Sequence, residues 1–202
     1  PAVTLDHLDI AEYEKFFDTA QIDSVMVYCK DHWGMTYFDS KVPGSMKHPG
    51  IQGDWIRTVR DSVARKNLEF IASVSNLLKR KKIEFVAYYC IEYDEGAARR
   101  FPEWRVRQAD GTPLIRDDLY AKWSLCCYQT GYREYSLSHM EEIIRNYHPD
   151  ALFMDIFGAS LCYCEHCRRK FREMFGYDIP ETDEDIKLHR RDLVAFLNKN
   201  TY

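Results

Sequence analysis

The chain alternates short apolar, β-prone runs with longer segments whose apolar residues recur at helical spacing. Strand-like runs begin at Ser24, Glu84, Trp123 and Ala151, and polar or aromatic residues follow each of them. Strands that alternate with amphipathic helices form parallel sheets joined by right-handed crossovers. This order predicts an α/β fold with four strands.

Cap and stop signals predict the bounds of the helices. Asp9 has the position of an N-cap for a first helix that ends near Gln21. Asp54 can cap a long helix that closes at the basic segment 79–82. Gly176 stops a later helix. Three further helices are predicted at 97–104, 137–147 and 186–197.

Four strands are half the number in a closed (β/α)₈ barrel, which needs about 250 residues. We therefore predict one α/β domain over residues 1–202, of the TIM (β/α)₈-barrel type with only the N-terminal half of the barrel present. Residues 177–202 would form a C-terminal helical extension of this domain. A doubly wound sheet is the alternative, but no G-x-G-x-x-G or P-loop sequence supports a nucleotide-binding version, and no organic cofactor is predicted.

Composition narrows the class of partner. The chain has 202 residues, of which 46% are hydrophobic, so it can bury a substantial core. A net charge of -4 and a pI near 6.0 give no basic surface for nucleic acid or an anionic membrane. No apolar run approaches the roughly 20 residues that cross a bilayer, and the first residues lack a signal-like apolar core. We expect a cytoplasmic protein without a nucleic-acid or membrane partner.

Polar and aromatic residues follow the predicted strands, at the edge where the carboxyl ends of parallel strands converge. Carboxylates that bind hydroxyl groups, together with aromatic rings, are typical of a sugar site. Asp155 lies within an apolar run, where a carboxylate needs a functional or structural reason. The candidate substrate-binding residues are Asp31, His32, Trp33, Tyr89, Glu92 and Asp94, and the candidate catalytic residue is Asp155.

The cysteines predict a metal site. There are seven, an odd number, and Cys162, Cys164 and Cys167 have C-x-C-x-x-C spacing. Zinc prefers four ligands in a tetrahedron, so a fourth must come from elsewhere. Cys127 follows the predicted third strand and is plausible, whereas His166 is a weaker substitute. A redox C-x-x-C pair would leave one thiol unused. Four thiolates leave no open position for water, which favours structural over catalytic zinc.

Five motifs occur in order along the chain. They are Lys30–Gly34, Ala87–Tyr89 with the acids that follow it, Pro102–Arg105, Cys127 with Tyr132–Arg133, and Met154–Ile156 continuing into Cys162–Cys164 and Cys167–Arg168. Together these motifs resemble the hypothetical glycosyl hydrolase 6 family, and the similar region runs from about Asp9 to Gly176. The cysteine segment is also similar to the family 42 β-galactosidases, and this likeness implies Cys127, Cys162, Cys164 and Cys167 as the ligands of a structural zinc.

The resemblance implies a TIM-barrel glycosidase of the retaining type, related also to α-L-fucosidases, that acts on a carbohydrate. Asp155 matches the catalytic acid at the end of the fourth strand, which is the nucleophile in fucosidase-like relatives. In family 42 the acid at this position is a Glu that follows an Asn and acts as the acid/base, but here Met154 precedes Asp155, so the resemblance favours the nucleophile role. Its partner carboxylate would come from later strands that these 202 residues do not contain. The expected macromolecular partner is the rest of the barrel or another copy of the chain. The alternative is a non-catalytic, zinc-stabilised α/β domain that serves binding or assembly.

Overall fold

A computed structural model describes residues 8–73, 82–116, 122–158 and 160–201. None of the helices in these ranges is long and apolar enough to cross a membrane. A short 3₁₀ helix covers Pro102–Trp104. The helices are α1 Ile10–Ala20, α2 Trp55–Ser73, α3 Glu95–Arg100, α4 Tyr132–Tyr147, α5 Glu165–Phe175, α6 Asp183–Leu188 and α7 Arg190–Thr201. The strands are β1 Ser24–Lys30, β2 Met35–Thr36, β3 Met46–Lys47, β4 Glu84–Cys90, β5 Ile115–Arg116, β6 Trp123–Ser124 and β7 Ala151–Asp155.

The main sheet has five strands in the order β3-β2-β1-β4-β7. Strands β1 and β4 pair in parallel from Ser24 opposite Glu84 to Tyr28 opposite Tyr88. The α/β class and the parallel pairing of these two strands are therefore confirmed. Closure into half of a barrel remains a prediction.

The chain forms two compact units. Unit 1 comprises the described residues within 1–31, 35–89 and 138–154, and unit 2 those within 32–34, 90–137 and 155–202. Strand β4 and helix α4 each continue from one unit into the other, and Asp155, the last residue of β7, belongs to unit 2.

Unit 1 contains nearly all of the main sheet. Helix α1 begins where predicted, because the Asp9 side chain accepts a hydrogen bond from the Ala11 N–H. Side chains on one face of the sheet, such as Val27 and Phe85, are buried. On the other face Tyr28 and Phe153 are each 45% exposed, and the Tyr88 ring lies between them at centroid distances of 4.1 and 5.9 Å. Parallel sheets are normally covered on both faces, so this exposed aromatic face is unusual.

Unit 2 has short elements in the described part of residues 90–131 and the longer helices α5 and α7 after Asp155. Asp94 caps α3, and Gly176 ends α5 in the left-handed conformation that glycine adopts readily, as predicted. The Phe171 ring of α5 packs edge-to-face on the Phe196 ring of α7 at a centroid distance of 5.2 Å, and both rings are fully buried.

The predicted third strand, 123–127, is wrong in both extent and pairing. Only Trp123–Ser124 forms a strand, and it pairs antiparallel with β5 in a separate two-stranded sheet. The Cys126 N–H donates instead to the Glu92 carbonyl at 3.0 Å, and the Cys127 N–H donates to the Trp104 carbonyl at 2.7 Å. Because these backbone groups bond to the Glu92 loop and to the last residue of the 3₁₀ helix, residues 125–127 do not continue the strand.

Two predicted helices also differ from the structure. The segment 97–104 contains the end of α3 and then the 3₁₀ helix, since Pro102 has no N–H with which to continue an α-helix. The final helix, 186–197, is two helices that meet at His189. Helix α6 has its own N-cap, because the Thr182 hydroxyl accepts a hydrogen bond from the Asp185 N–H. The predicted end of α2 at 79–82 falls mostly outside the described residues.

Candidate active site and metal centre

Asp155 and His32 lie side by side in unit 2. Asp155 is the last residue of β7, and its carbonyl accepts a hydrogen bond from the Ile91 N–H at 3.0 Å. Its carboxylate Oδ2 lies 3.7 Å from Nε2 of His32, and the two side chains are 33% and 24% exposed. The structure therefore brings these two residues, both named as site candidates from the sequence, next to each other. A carboxylate in this position is open to solvent and has a polar neighbour.

The chain turns sharply directly after Asp155. Ile156 has a φ of 52°, in the left-handed region that a β-branched residue rarely adopts. Such a conformation costs about 1–3 kcal/mol and persists only when the surroundings hold it. The backbone beside the candidate catalytic carboxylate is therefore strained.

Aromatic rings surround His32. The imidazole lies 5.1 Å from the Trp123 ring and 5.8 Å from the Tyr93 ring, measured between centroids. Trp33 meets the same Trp123 ring edge-to-face at 6.4 Å and is 39% exposed, whereas Trp123 is buried. The N–H groups of Glu95 and Gly96, at the start of α3, donate to the carbonyls of His32 and Trp33. A hydrogen bond to its carbonyl and contacts with two aromatic rings thus hold His32 in place.

The Glu92 carboxylate faces a backbone loop. Its side chain is buried, and its Oε1 accepts a hydrogen bond from the Ser160 N–H at 3.2 Å. Burial raises the pKa of this carboxyl above its usual range, while the hydrogen bond from Ser160 and the charge of Arg116 act in the opposite direction. Glu92 also lines a cavity of about 20 Å³ together with Cys162 and Cys167.

Asp94 has a structural role. It is fully buried, and its Oδ1 accepts a hydrogen bond from the Ala97 N–H at 2.7 Å at the start of α3. The Tyr132 hydroxyl donates to its other oxygen at 3.4 Å. Gly34 fits beside it only because it has no side chain, since a Cβ there would lie 1.8 Å from Asp94 Oδ1. These contacts account for the Asp94 carboxylate without a ligand, and its substrate-binding role remains a prediction.

Asp31 and Tyr89 belong to unit 1 and are buried there. Asp31 accepts hydrogen bonds from the Met35 N–H at 2.9 Å and the Tyr37 hydroxyl at 3.4 Å. The Tyr89 hydroxyl lies 3.1 Å from Nδ1 of His139, whose pKa is lowered to about 3 by burial and then by the charge of Lys30. These contacts account for both side chains without a ligand, and their substrate-binding roles remain predictions.

The four cysteines named from the sequence come together in unit 2. All are buried, and their sulfur atoms lie within 4.8 Å of one another. Cys127 Sγ is 3.4 Å from Cys167 Sγ and 3.9 Å from Cys164 Sγ. A tetrahedral zinc with bonds of about 2.3 Å to sulfur places its ligands about 3.8 Å apart. The cluster therefore has the donor set and spacing to bind a metal ion.

Backbone N–H groups and a helix start hold the cysteines of this cluster in position. The N–H groups of Arg107 and Cys164 donate to Cys162 Sγ at 3.3 and 3.4 Å, which favours a thiolate. Cys164 is also the N-cap residue of α5, so Cys167 follows on the first turn of that helix. Cys127 contributes the fourth sulfur from a loop rather than from a parallel strand, contrary to the route predicted for it.

The sequence pattern does not identify Trp123 as a site residue. It predicts Trp123 as the first residue of a five-residue strand, whereas Trp123 lies in the two-residue strand β6 and contacts both His32 and Trp33. Its β-prone neighbours indicated an extended backbone but not the direction in which the indole points.

A partly exposed carboxylate at a strand end, beside aromatic rings and on an α/β fold, is typical of proteins that bind or cleave carbohydrates. The chain belongs to the hypothetical glycosyl hydrolase 6 family, which matches residues 9–156. No curated protein matches it.

Solved structures show a similar fold. The α-L-fucosidase isoenzyme 2 from Paenibacillus thiaminolyticus has a TM-score of 0.69 and 22% identity, covering 94% of this chain and 26% of that one. A hypothetical protein from Ruminiclostridium thermocellum has a TM-score of 0.55 and 14% identity, covering 75% and 71%. A Thermotoga maritima α-fucosidase in complex with a mechanism-based inhibitor has a TM-score of 0.50 and 19% identity, covering 86% and 33%. The chain thus spans about a quarter to a third of these fucosidases.

Proposed function

We propose that this chain supplies one catalytic carboxylate and part of the sugar-binding surface of a retaining glycoside hydrolase. The observation that carries the proposal is the distance of 3.7 Å between Asp155 Oδ2 and His32 Nε2 in a partly exposed position, where the Trp123 ring contacts the rings of both His32 and Trp33. Membership in a family of hypothetical glycosyl hydrolases and a fold similar to that of fucosidases support it.

Asp155 is the proposed nucleophile. Its carboxylate would attack the anomeric carbon and form a covalent glycosyl-enzyme intermediate, which water then hydrolyses. A second carboxylate, about 5 Å away in retaining enzymes, protonates the leaving oxygen in the first step. We propose that it comes from other strands of a complete barrel, outside residues 1–202.

His32 and Trp33 are the proposed sugar-binding residues of this half. Because the His32 ring is already held against Trp123, its Nε2 can form a hydrogen bond with a sugar hydroxyl at little cost in side-chain conformational entropy. The exposed Trp33 ring offers an apolar surface for the C–H face of a sugar. An α-L-fucoside is the first substrate to test, and a β-galactoside the second.

The cysteine cluster is proposed to hold a structural zinc ion. Cys127, Cys162, Cys164 and Cys167 would bind it as thiolates. Four sulfur ligands leave no open coordination position, so the ion would stabilise the surrounding loops and take no part in bond cleavage.

Activity of the longest natural protein that contains this chain tests the proposal. We expect it to hydrolyse at least one member of a panel of nitrophenyl glycosides, and Asp155→Asn to lower kcat by roughly 10³-fold or more. Asp183→Asn, a change at an exposed carboxylate in α6, is the control and should keep full activity. Azide should restore turnover to Asp155→Gly by forming a glycosyl azide, as expected when a small anion replaces a lost nucleophile.

A non-catalytic, zinc-stabilised binding domain is the second candidate, and the buried cysteine cluster favours it because the cluster needs no substrate to explain it. Full metal occupancy with no hydrolysis of any glycoside would support this alternative. Hydrolysis that survives Asp155→Asn would instead contradict the nucleophile role.

A further inference from the structure

The segment from Ile156 to Ser160 connects the candidate nucleophile to the cysteine cluster. Asp155, just before it, is fixed by the hydrogen bond from the Ile91 N–H to its carbonyl, and Cys162, just after it, belongs to the metal centre. Between these two points lies the strained backbone of Ile156. A segment of this kind relaxes unless other groups restrain it, and any relaxation would move the adjacent Asp155.

Glu92 provides such a restraint. Its Oε1 accepts the Ser160 N–H at 3.2 Å, and its Oε2 would lie 3.8 Å from a Cβ placed on Gly158, so both oxygens face this segment. Its own carbonyl is held by the Cys126 N–H at 3.0 Å. The side chain is only 6% exposed, which keeps its oxygens away from a bulky sugar. Burial of a carboxylate is unfavourable unless the group is hydrogen-bonded. The hydrogen bond from the Ser160 N–H offsets this cost and ties the Glu92 side chain to the loop.

We propose that Glu92 is a positioning residue, which holds the Ser160 N–H and lies against Gly158, so that Asp155 keeps its place beside His32. This role differs from the substrate contact predicted for Glu92 from the sequence. The effect on turnover rests on the proposed function, whereas the effect on the loop does not. A neutral acceptor of the same shape should serve equally well, because the Ser160 N–H needs an oxygen and not a charge.

Two variants of the full natural protein separate the effect of the acceptor oxygen of Glu92 from the effect of its charge. Glu92→Gln keeps an acceptor oxygen, and Glu92→Leu removes it at nearly the same volume. For Glu92→Leu we expect amide hydrogen exchange in residues 156–161 to be roughly 3- to 10-fold faster, the change for one net hydrogen bond. We also expect kcat to fall roughly 10- to 100-fold with KM nearly unchanged, since displacement of a catalytic group by about 1 Å has an effect of this size.

Glu92→Gln should resemble the unmodified protein in both measurements, and Glu103→Leu, at an exposed position of the 3₁₀ helix, should change neither. Unchanged exchange at 156–161 in Glu92→Leu would overturn the proposal, as would equal losses of kcat in the Gln and Leu variants or an effect on KM alone. If Glu92→Leu fails to fold, Glu92→Asp withdraws the carboxylate by one methylene, and the same exchange measurement applies. If the unmodified protein cleaves no glycoside, the proposed function fails, and the exchange data alone still decide whether Glu92 holds the loop.

Discussion

The two units satisfy their backbone hydrogen bonds in different ways. In unit 1, strands β1 and β4 have seven residues each and α2 has 19, so long ladders and helical turns bond most of the chain. Around the candidate site, in the described part of residues 90–131 of unit 2, β5 and β6 have two residues each and α3 has six, whereas the longer helices of unit 2, α5 and α7, come later in the chain with 11 and 12 residues. Short elements leave many backbone groups to be bonded by side chains.

This difference explains why the candidate site has so many buried polar residues. Asp94 bonds the start of α3, Glu92 bonds the loop at Ser160, and Cys162 accepts two backbone N–H groups. Irregular backbone can present His32 and Asp155 to a ligand in ways that a regular strand cannot, but side-chain contacts must hold it. Asp94 and Glu92 of unit 2 thus hold the backbone around the candidate site.

The largest expected effect is that of the metal ligands. Cys164→Ser should abolish stoichiometric zinc and destabilise unit 2 by more than about 4 kcal/mol, because structural zinc binds with about 10–16 kcal/mol in small domains. Hydrogen exchange should increase throughout 160–175, while β1 and β4 of unit 1 remain protected. Metal analysis by mass spectrometry, with exchange measured on the same samples, checks both expectations.

Cys126→Ser is the matched control. Cys126 is buried next to a proposed ligand, yet its sulfur donates to the Asp94 carbonyl at 3.7 Å and is not part of the cluster. The Cys126→Ser variant should therefore retain zinc. Equal loss of protection in both units after metal removal would contradict the comparison, since the two units would then depend on the same cross-link.

Gly34→Ala is expected to have the next largest effect. The added Cβ would lie 1.8 Å from Asp94 Oδ1 and would force the cap of α3 to move, on a backbone with a φ of 77°. We expect a loss of about 2–4 kcal/mol in the free energy of unfolding, measured by urea titration. Gly111→Ala is the control, because its φ is 83° and no atom lies within 4 Å of the new Cβ. If Gly111→Ala lowered the free energy of unfolding as much as Gly34→Ala, backbone strain and not the contact with Asp94 would cause the loss.

Local signals predicted much of the fold. The cap at Asp9, the stop at Gly176 and the C-x-C-x-x-C spacing each depend on a few adjacent residues, and each has its expected counterpart in the structure. The strand at 123–127 failed for the opposite reason. Its β-propensity indicated extended backbone, but pairing depends on residues distant in sequence, here Glu92 and Trp104.

The site was predictable in its residues but only partly in their roles. Asp31, Glu92 and Asp94 follow strands, as substrate ligands often do, yet each is buried and bonds nearby backbone N–H groups. For Asp94 a signal existed, since an Asp three residues before Ala97 at a helix start is a good N-cap. Nothing local could indicate that the indole of Trp123 would lie against His32.

The smallest expected effect is at Asp150, a side chain of unit 1 that accepts a hydrogen bond from a backbone N–H group. The Asp150 carboxylate accepts hydrogen bonds from Lys82 Nζ at 2.6 Å and from the Phe85 N–H at 2.9 Å, and these contacts lower its pKa. A carboxyl with a lowered folded-state pKa stabilises the protein above its unfolded pKa of about 3.9 and loses this contribution as the pH falls through the folded value. Asp150→Asn should therefore reduce stability by about 0.5–1 kcal/mol at pH 7, because the pair with Lys82 is solvent-exposed, and the difference should shrink below pH 4. Urea titrations at pH 7 and pH 3 measure it, with Asp18→Asn, which removes only a surface ion pair with Lys66, as the control. If Asp150→Asn cost more than Gly34→Ala, unit 1 would depend on single side-chain contacts as strongly as unit 2, and the comparison between them would fail.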